Sequence, residues 1–206
     1  MLSSFEWTPE NDAAILANLA ETCRAVILVA GASCSGKTTF ASFLARNLDD
    51  AVVIAMDRYY RDYAELKDFP NPNNYPRFDI PEAYRVDELE DDLCSLGSGR
   101  VVRIPTYDIS RNRRMGSQIC GLHRRYIVEG LYAFRVRYPA YCVFVQADYE
   151  KRYERRMARD TRNLPELDTD VIARHFERVE RASQDLVLPQ KVGADMVIVS
   201  NTERGG

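Results

Sequence analysis

Lysine is scarce in this chain, and that scarcity shapes its electrostatics. Arginine carries nearly all of the positive charge of the 28 basic residues, because only four of them are lysines. The formal net charge of -3 gives no overall attraction to nucleic acid, so we expect no nucleic-acid partner. A guanidinium group binds phosphate through a rigid two-pronged fork, although genome composition explains an arginine bias more simply.

Two further absences narrow the class of protein. The five cysteines lie far apart, without a C-x-x-C pair and without a histidine at zinc spacing, which indicates reduced cysteines. No segment approaches the roughly 18 apolar residues that a membrane span requires, and the N-terminus lacks the pattern of a signal peptide. We therefore expect a soluble cytoplasmic protein without a membrane partner. Assembly into a homo-oligomer is possible.

Short apolar runs alternate with helical patterns along the chain. This alternation predicts an α/β fold with a doubly wound parallel sheet, formed by one domain over residues 1–206. Residues 101–126 read as a β-hairpin inserted in that core. The apolar runs that predict strands cover residues 25–30, 51–56, 126–128, 142–146 and 196–200. The predicted helices begin near residues 8, 37, 149 and 169, and the last of them reaches residue 188.

The strongest motif follows the first of these apolar runs. It is a G-x-x-x-x-G-K-[ST] string between a strand and a helix, where backbone N–H groups wrap phosphate oxygens. We expect Lys37 to neutralise β- and γ-phosphates and the Thr38 hydroxyl to bind Mg²⁺. The rival interpretation is an ordinary glycine-rich turn. The predicted nucleotide-binding residues here are Gly31, Ala32, Ser33, Cys34, Ser35, Gly36, Lys37, Thr38 and Thr39.

Two other apolar runs end in a carboxylate. Asp57 follows residues 51–56, at the edge of a parallel sheet where ligands gather, and is a candidate base for an attacking hydroxyl. A magnesium ligand through water, or a plain helix cap, are its competing roles. Glu129 ends residues 126–128 and is a candidate for the metal's water shell, with structural charge pairing as the alternative.

Arginines occupy one face of the helix that begins near residue 149. Arg152, Arg155, Arg156 and Arg159 stand at offsets 0, 3, 4 and 7, positions that are normally apolar. Four guanidinium groups on one face favour a lid over a polyphosphate, with Arg156 and Arg159 acting on the transferring group. The alternative is a solvated helix in which Asp148 pairs with Arg152, and Arg156 with Asp160.

Taken together, the motifs resemble the uridine kinase branch of the P-loop kinases, which also includes phosphoribulokinase. The similarity extends over nearly the whole chain. It rests on GASCSGKTTF, DRYYRD, RFDIPEAY, IPTYD, IVEG, RRMARD and LPQKVGADMVI, in that order. This resemblance implies a P-loop NTPase kinase fold with a helical lid.

The resemblance also implies a reaction, in which ATP with Mg²⁺ phosphorylates the 5′-hydroxyl of a ribose. Asp57 would then be the base, Asp79 would hold the ribose hydroxyls, and Phe78 and Tyr107 would line the nucleoside pocket. Arg155, Arg156, Arg159 and Arg162 would be lid arginines, with Arg155 on the nucleotide and Arg152 on the substrate. A carboxylate is a chemically suitable partner for both a weakly nucleophilic hydroxyl and a vicinal diol.

Three departures from the family pattern concern the acceptor. Asn112 stands where the family has a pyrimidine-reading histidine, and Ile109 stands where it has an aromatic residue. The lid continues as TRNLPELDTDV rather than ERGRD, and Arg113 and Arg114 add positive charge near the pocket. A uridine- or cytidine-like nucleoside is the expected acceptor. A sugar phosphate, another riboside, or a nucleotide-binding regulatory role are the alternatives.

Overall fold

A six-stranded sheet, all of it parallel, organises the chain. The computed structural model describes residues 3–204, so the outermost residues of the domain expected over 1–206 lie outside the described part. The strands run in the spatial order β1-β8-β7-β2-β6-β3. Their bounds are β1 Ser3–Glu6, β2 Val26–Ala30, β3 Ala51–Ala55, β6 Arg125–Glu129, β7 Ala140–Gln146 and β8 Met196–Val199.

The centre of the sheet follows from its sequence. Every residue of β2 is buried, as expected for an apolar run covered on both faces. Leu28 pairs in register with Val128 of β6 on one side and with Cys142 of β7 on the other. Separate hydrophobic clusters pack on the two faces, one around Phe144 and the other around Phe40. The prediction of a doubly wound parallel α/β sheet is confirmed.

Six α-helices accompany the strands in the described residues. They are α1 Asp12–Glu21, α2 Lys37–Asn47, α3 Tyr63–Leu66, α4 Val86–Gly97, α5 Tyr149–Asn163 and α6 Thr169–Ala182. The sequence did not reveal α4. The last helix was predicted to continue to residue 188, but Ser183–Val187 form a π-helical turn instead. Within residues 3–204, no helix combines the length and apolarity needed to cross a membrane.

A separate two-stranded antiparallel sheet forms the inserted hairpin. It consists of β4 Val102–Asp108 and β5 Arg113–Cys120, which confirms the hairpin prediction. The proline-rich segment of residues 68–81 carries only short 3-10 turns. It touches the α6 region, where Arg178 donates to the carbonyl of Asn74 at 3.4 Å and the Tyr75 hydroxyl contacts Asp185.

Candidate active site

The loop between β2 and α2 has the geometry of a phosphate cradle. Gly36 stands at the N-terminus of α2 in the left-handed region, with φ of 97°, and a Cβ there would lie 2.7 Å from the Ser200 hydroxyl. A Cβ on Gly31 would collide with the carbonyl of Val145. The buried Ser35 hydroxyl has no partner among the described residues. Both glycines therefore stand where a side chain would not fit, as in a loop that wraps closely around a phosphate at the start of a helix.

Lys37 and two oxygen-bearing side chains meet beside this loop. The ammonium group of Lys37 donates to the Ala32 carbonyl at 2.9 Å. Burial lowers the pKa of Lys37, and the Glu129 carboxylate opposes that effect. The Thr38 hydroxyl donates to Glu129 Oε2 at 3.3 Å.

The Thr38 hydroxyl and the Glu129 carboxylate are oxygen ligands of the kind that Mg²⁺ prefers. Across residues 3–204 no group of three or more His, Cys, Asp or Glu residues is arranged for a metal. Mg²⁺ keeps several waters and takes ligands from substrate phosphates, so Thr38 and Glu129 fit its demands without a full protein cage.

Asp57 lies just after β3, in the 3-10 turn Met56–Tyr59. Burial raises the pKa of its carboxyl group, and the nearby Lys37 charge opposes the rise. The Tyr84 hydroxyl donates to Asp57 Oδ1 at 3.3 Å, and it also contacts the Tyr60 hydroxyl at 2.7 Å. Asp57 is therefore a partly buried carboxylate that faces the cavity and is held by a tyrosine.

A second carboxylate and an aromatic wall face the same cavity. Burial raises the pKa of Asp79 to about 6, while the positive charge of Arg156 acts against the rise. The Tyr60 ring lies between the rings of Phe78 and Tyr107, at centroid distances of 5.2 and 5.4 Å. The ring of Tyr60 is tilted by 77° to that of Phe78 and by 55° to that of Tyr107, so the cavity has an angled aromatic wall next to an acidic group.

The hairpin contributes the last part of this end of the cavity. The Tyr107 hydroxyl donates to the carbonyl of Arg61 at 3.2 Å. Asn112 adopts a positive φ of 50°, and its carbonyl accepts from the Tyr63 N–H at 3.1 Å. Both Asn112 and Ile109 line the cavity, at the positions where the sequence departs from the family pattern.

The arginine face of α5 divides into two groups. Arg155, Arg156 and Arg159 line the cavity. Arg152 does not, because its guanidinium forms a buried two-pronged ion pair with Glu180 of α6, at 2.5 and 2.8 Å. The expectation that Arg152 faces the substrate is therefore corrected.

Of the two ion pairs expected for a solvated α5, one is present and the other is not. Arg156 and Asp160 are paired, as one alternative anticipated. Arg152 pairs with Glu180 rather than with Asp148. Arg162 is exposed and does not line the cavity. Three of the four arginines on the face therefore line the same cavity as the P-loop residues.

Lys37, Asp57, Asp79 and Glu129 open onto one cavity of about 760 Å³. Ser33, Cys34, Gly36, Thr38 and Thr39 of the P-loop segment line it together with the acceptor-side residues, while Gly31, Ala32 and Ser35 lie behind its surface. Sequence reasoning missed several lining residues: Trp7, Tyr60, His175, Ser200, Thr202, Glu203 and Arg204. Trp7 is the only tryptophan, but nothing local marked it as part of a site.

Comparison with known proteins places these features in a family. The sequence profile of the Phosphoribulokinase / Uridine kinase family matches residues 26–204. A "Uridine kinase" of Staphylococcus haemolyticus is 30% identical over 181 residues, which is 84% of this chain and 86% of that protein. "Uridine kinase-like protein 3" of Arabidopsis thaliana is 33% identical over 189 residues, which is 88% of this chain but only 39% of that longer protein.

The fold comparison agrees with the sequence comparison. The crystal structure of a candidate fructose transport system kinase from Silicibacter sp. TM1040 superimposes with a TM-score of 0.71 at 20% identity. The match covers 90% of this chain and 98% of that one, and at this identity it speaks for the fold alone. The chain belongs to the phosphoribulokinase/uridine kinase family, and is an ATP-dependent kinase that phosphorylates a hydroxyl acceptor.

Proposed function

We propose that this kinase transfers the γ-phosphoryl group of ATP to the 5′-hydroxyl of a nucleoside, with uridine or cytidine as the leading acceptors. The observation that carries the proposal is the cavity end where Asp57 and Asp79 stand beside the rings of Phe78 and Tyr107. A ribose needs a base for one hydroxyl and an acceptor for its diol, and a nucleobase packs against aromatic rings.

At the donor end, the chain's own groups hold and neutralise the phosphates. The P-loop backbone and Lys37 bind the β- and γ-phosphates, while Arg155 lies on the nucleotide side of the loop. Arg156 and Arg159 stabilise the charge on the transferring phosphoryl group. Thr38 and Glu129 would hold Mg²⁺ with its waters, and the ion would supply positive charge to neutralise the phosphates.

At the acceptor end, Asp57 takes the proton of the attacking hydroxyl. The hydroxyl oxygen forms the new bond to the γ-phosphorus, the bond to the leaving ADP oxygen breaks, and the proton moves to the carboxylate of Asp57. Burial raises the pKa of Asp57 toward neutral pH. A carboxylate with a higher pKa is a stronger base. Tyr84 keeps the carboxylate oriented through its hydrogen bond.

The arrangement of the hairpin arginines disfavours a phosphorylated acceptor. Arg114 forms a two-pronged ion pair with Glu88, at 2.7 and 2.8 Å, and neither Arg113 nor Arg114 lines the cavity. A sugar phosphate would need a free cation at the acceptor end. Neutral ribosides and sugars carry no such demand, and Asn112 offers them an amide in place of the family's histidine.

A coupled ADP-release assay over a panel of acceptors tests the proposal. The panel contains uridine, cytidine, purine ribosides, fructose and sugar phosphates, each with ATP and Mg²⁺. We expect the highest kcat/KM with a pyrimidine riboside. No turnover of either pyrimidine riboside would overturn the nucleoside proposal, and turnover of fructose alone would point to a sugar kinase. ATP hydrolysis without transfer to any acceptor would instead favour a regulatory nucleotide binder.

A further inference from the structure

A buried carboxylate of α5 lies behind the cavity without lining it. Asp160 is only 8% exposed, and it follows two arginines that do line the cavity, Arg156 and Arg159. Its spacing of four residues from Arg156 is that of an ordinary surface ion pair, yet a surface pair would be exposed to solvent. A buried charge needs partners, so the contacts of Asp160 indicate what it does.

Asp160 binds both arginines through the same nitrogen of each side chain. Its Oδ2 accepts a hydrogen bond from Arg156 Nε, and its Oδ1 accepts one from Arg159 Nε at 2.8 Å. A guanidinium has five N–H bonds, and four of them lie on the two terminal nitrogens. One carboxylate therefore holds two arginines and leaves the terminal nitrogens of both for other partners.

The free ends of these arginines act on the centre of the cavity. Arg156 Nη1 donates to the Ser33 hydroxyl of the phosphate loop at 3.4 Å. Burial has the largest effect on the pKa of Lys37, which it lowers, and on that of Asp57, which it raises. The positive charge of Arg159 lowers the pKa of both groups. Arg159 therefore acts on the donor end and on the acceptor end at once.

Two like charges on one helix face need compensation before a ligand binds. Arg156 and Arg159 are three residues apart, a spacing at which they repel each other. Burial raises the pKa of Asp160, but the hydrogen bond from Arg159 and the charges of both arginines outweigh that effect and hold the pKa below its usual value. Asp160 is therefore ionised at neutral pH and offsets one of the two positive charges.

Asp79 is a competing partner for Arg156. Burial raises the pKa of Asp79, and the positive charge of Arg156 opposes the rise, so the two groups are close enough to interact. No hydrogen bond joins them within residues 3–204, whereas Arg156 is hydrogen-bonded to Asp160. Asp160 thus keeps Arg156 from pairing with the carboxylate assigned to the hydroxyls of the acceptor.

We propose that Asp160 is a positioning residue that makes Arg156 and Arg159 a preformed clamp for the transferring phosphoryl group. Each arginine binds Asp160 through Nε and presents its terminal nitrogens to phosphate oxygens. Donors fixed in advance stabilise developing charge without reorganising during the reaction. The inference rests on the proposed function only in assigning these two arginines to the transferring group.

Asp160→Asn removes the charge with little change in shape. We expect kcat with ATP and uridine to fall about tenfold to a hundredfold, because the clamp is no longer preformed. The affinity for inorganic tripolyphosphate with Mg²⁺, measured by isothermal titration calorimetry, should stay the same or rise by up to about threefold, since a competing negative charge is lost. A merely structural role would lower both quantities, because a displaced α5 would bind phosphates less well.

Two further carboxylate variants control this test. Asp160→Glu keeps the charge and should recover part of the lost kcat. Glu154→Gln changes an exposed carboxylate of the same helix, which pairs with Lys151 at 2.8 Å and does not line the cavity. Both kcat and the tripolyphosphate affinity should be those of the wild type in Glu154→Gln.

Arg159→Lys tests the division of nitrogens without changing the buried carboxylate. Lysine keeps the positive charge but has a single ammonium group, which can reach either Asp160 or a phosphate oxygen but cannot replace both ends of the guanidinium fork. We expect kcat to fall about tenfold. The side chain of Arg159 is 49% exposed, so this variant should fold and decides the question even where Asp160→Asn does not fold.

Background hydrolysis of ATP, without an added acceptor, is a readout that does not depend on the acceptor. Its rate should fall in Asp160→Asn and Arg159→Lys, because water then replaces the acceptor hydroxyl. A parallel fall of kcat and tripolyphosphate affinity in Asp160→Asn would overturn the inference, and so would a wild-type kcat in Arg159→Lys. Slower background hydrolysis in both variants, without phosphorylation of uridine by the wild type, would support the inference while the nucleoside proposal fails.

Discussion

The two ends of the cavity are built in different ways. The core of the donor end is one continuous strand, loop and helix, residues 26–47, to which α5 adds its cavity-lining arginines. The acceptor end is assembled from separate segments that follow β3, precede α4 and form the hairpin. A donor site that is local in sequence stays constant when other segments change, whereas a dispersed acceptor site can be altered one segment at a time. Phosphoryl transfer and acceptor choice are therefore separable properties of this fold.

Asp57→Asn is the sharpest test of that separation and has the largest expected effect. Removing the base should lower kcat by about 10² to 10⁴, because the attacking hydroxyl keeps its proton. ADP binding, which depends on the donor end, should stay within twofold by calorimetry. Asp108→Asn changes a carboxylate of the hairpin that does not line the cavity, and it should leave both quantities unchanged. Near-normal turnover of the Asp57 variant would remove this residue from the mechanism.

Lys37→Ala makes the opposite change, at the donor end. We expect kcat/KM for ATP to fall about 10² to 10³, since one preorganised charge on the phosphates is lost. Tripolyphosphate affinity should fall with it, while equilibrium binding of the acceptor persists. Lys67→Ala removes an exposed lysine that does not line the cavity and should behave as the wild type. Unchanged tripolyphosphate affinity in Lys37→Ala would contradict the assignment of the donor end.

Two arginines of α5 allow the comparison to be made within one helix. Arg152→Ala leaves Glu180 buried and unpaired, so urea denaturation should show a loss of about 3–5 kcal/mol in the free energy of unfolding. Its kcat, measured per folded molecule, should stay near normal. Arg159→Ala, at a half-exposed side chain that lines the cavity, should lose activity with little change in stability. The reverse pattern would mean that Arg152 belongs to the lid after all.

Tyr84→Phe tests how Tyr84 sets the pKa of Asp57, and we expect the smallest effect from it. The hydrogen bond from Tyr84 lowers the pKa of Asp57 against the larger raising effect of burial, so its loss should raise that pKa further. A base acts when deprotonated, so a higher pKa shrinks its active fraction at low pH. The acidic limb of kcat/KM should therefore move to higher pH, with rates unchanged well above that limb. Tyr59→Phe removes a phenol bound to Asp92 and should not move the limb.

Much of the sheet was readable from sequence because buried parallel strands appear as unbroken apolar runs. The edge strand β1 was missed, since only Phe5 is apolar in Ser3–Glu6. Helix α4 was also missed, although Leu89, Leu93 and Leu96 recur at helical spacing and are buried. That one domain spans residues 1–206 stays a prediction.

The sequence predicted the parts of the site that lie within one segment. It did not predict the parts that depend on contacts between residues far apart in the chain. The P-loop is a local motif, and its neighbouring strand and helix were visible. Arg152 and Arg156 share a helix face, and only the position of Glu180 on α6 separates their surroundings. Arg204 and Trp7 are far apart in sequence and meet only because β1 joins the sheet beside β8.

The ion pair between Arg152 and Glu180 has a mechanical consequence. It fastens α5 to α6, and α6 continues through the π-helical turn to Asp185, which contacts Tyr75 of the acceptor-side segment. Arg178 of α6 adds a second attachment, to the carbonyl of Asn74. Any swing of α5 toward the phosphates would therefore pull on the loop that carries Phe78 and Asp79. Through this linkage, binding at the donor end would change the shape of the acceptor pocket, and binding at the acceptor end would change the position of α5.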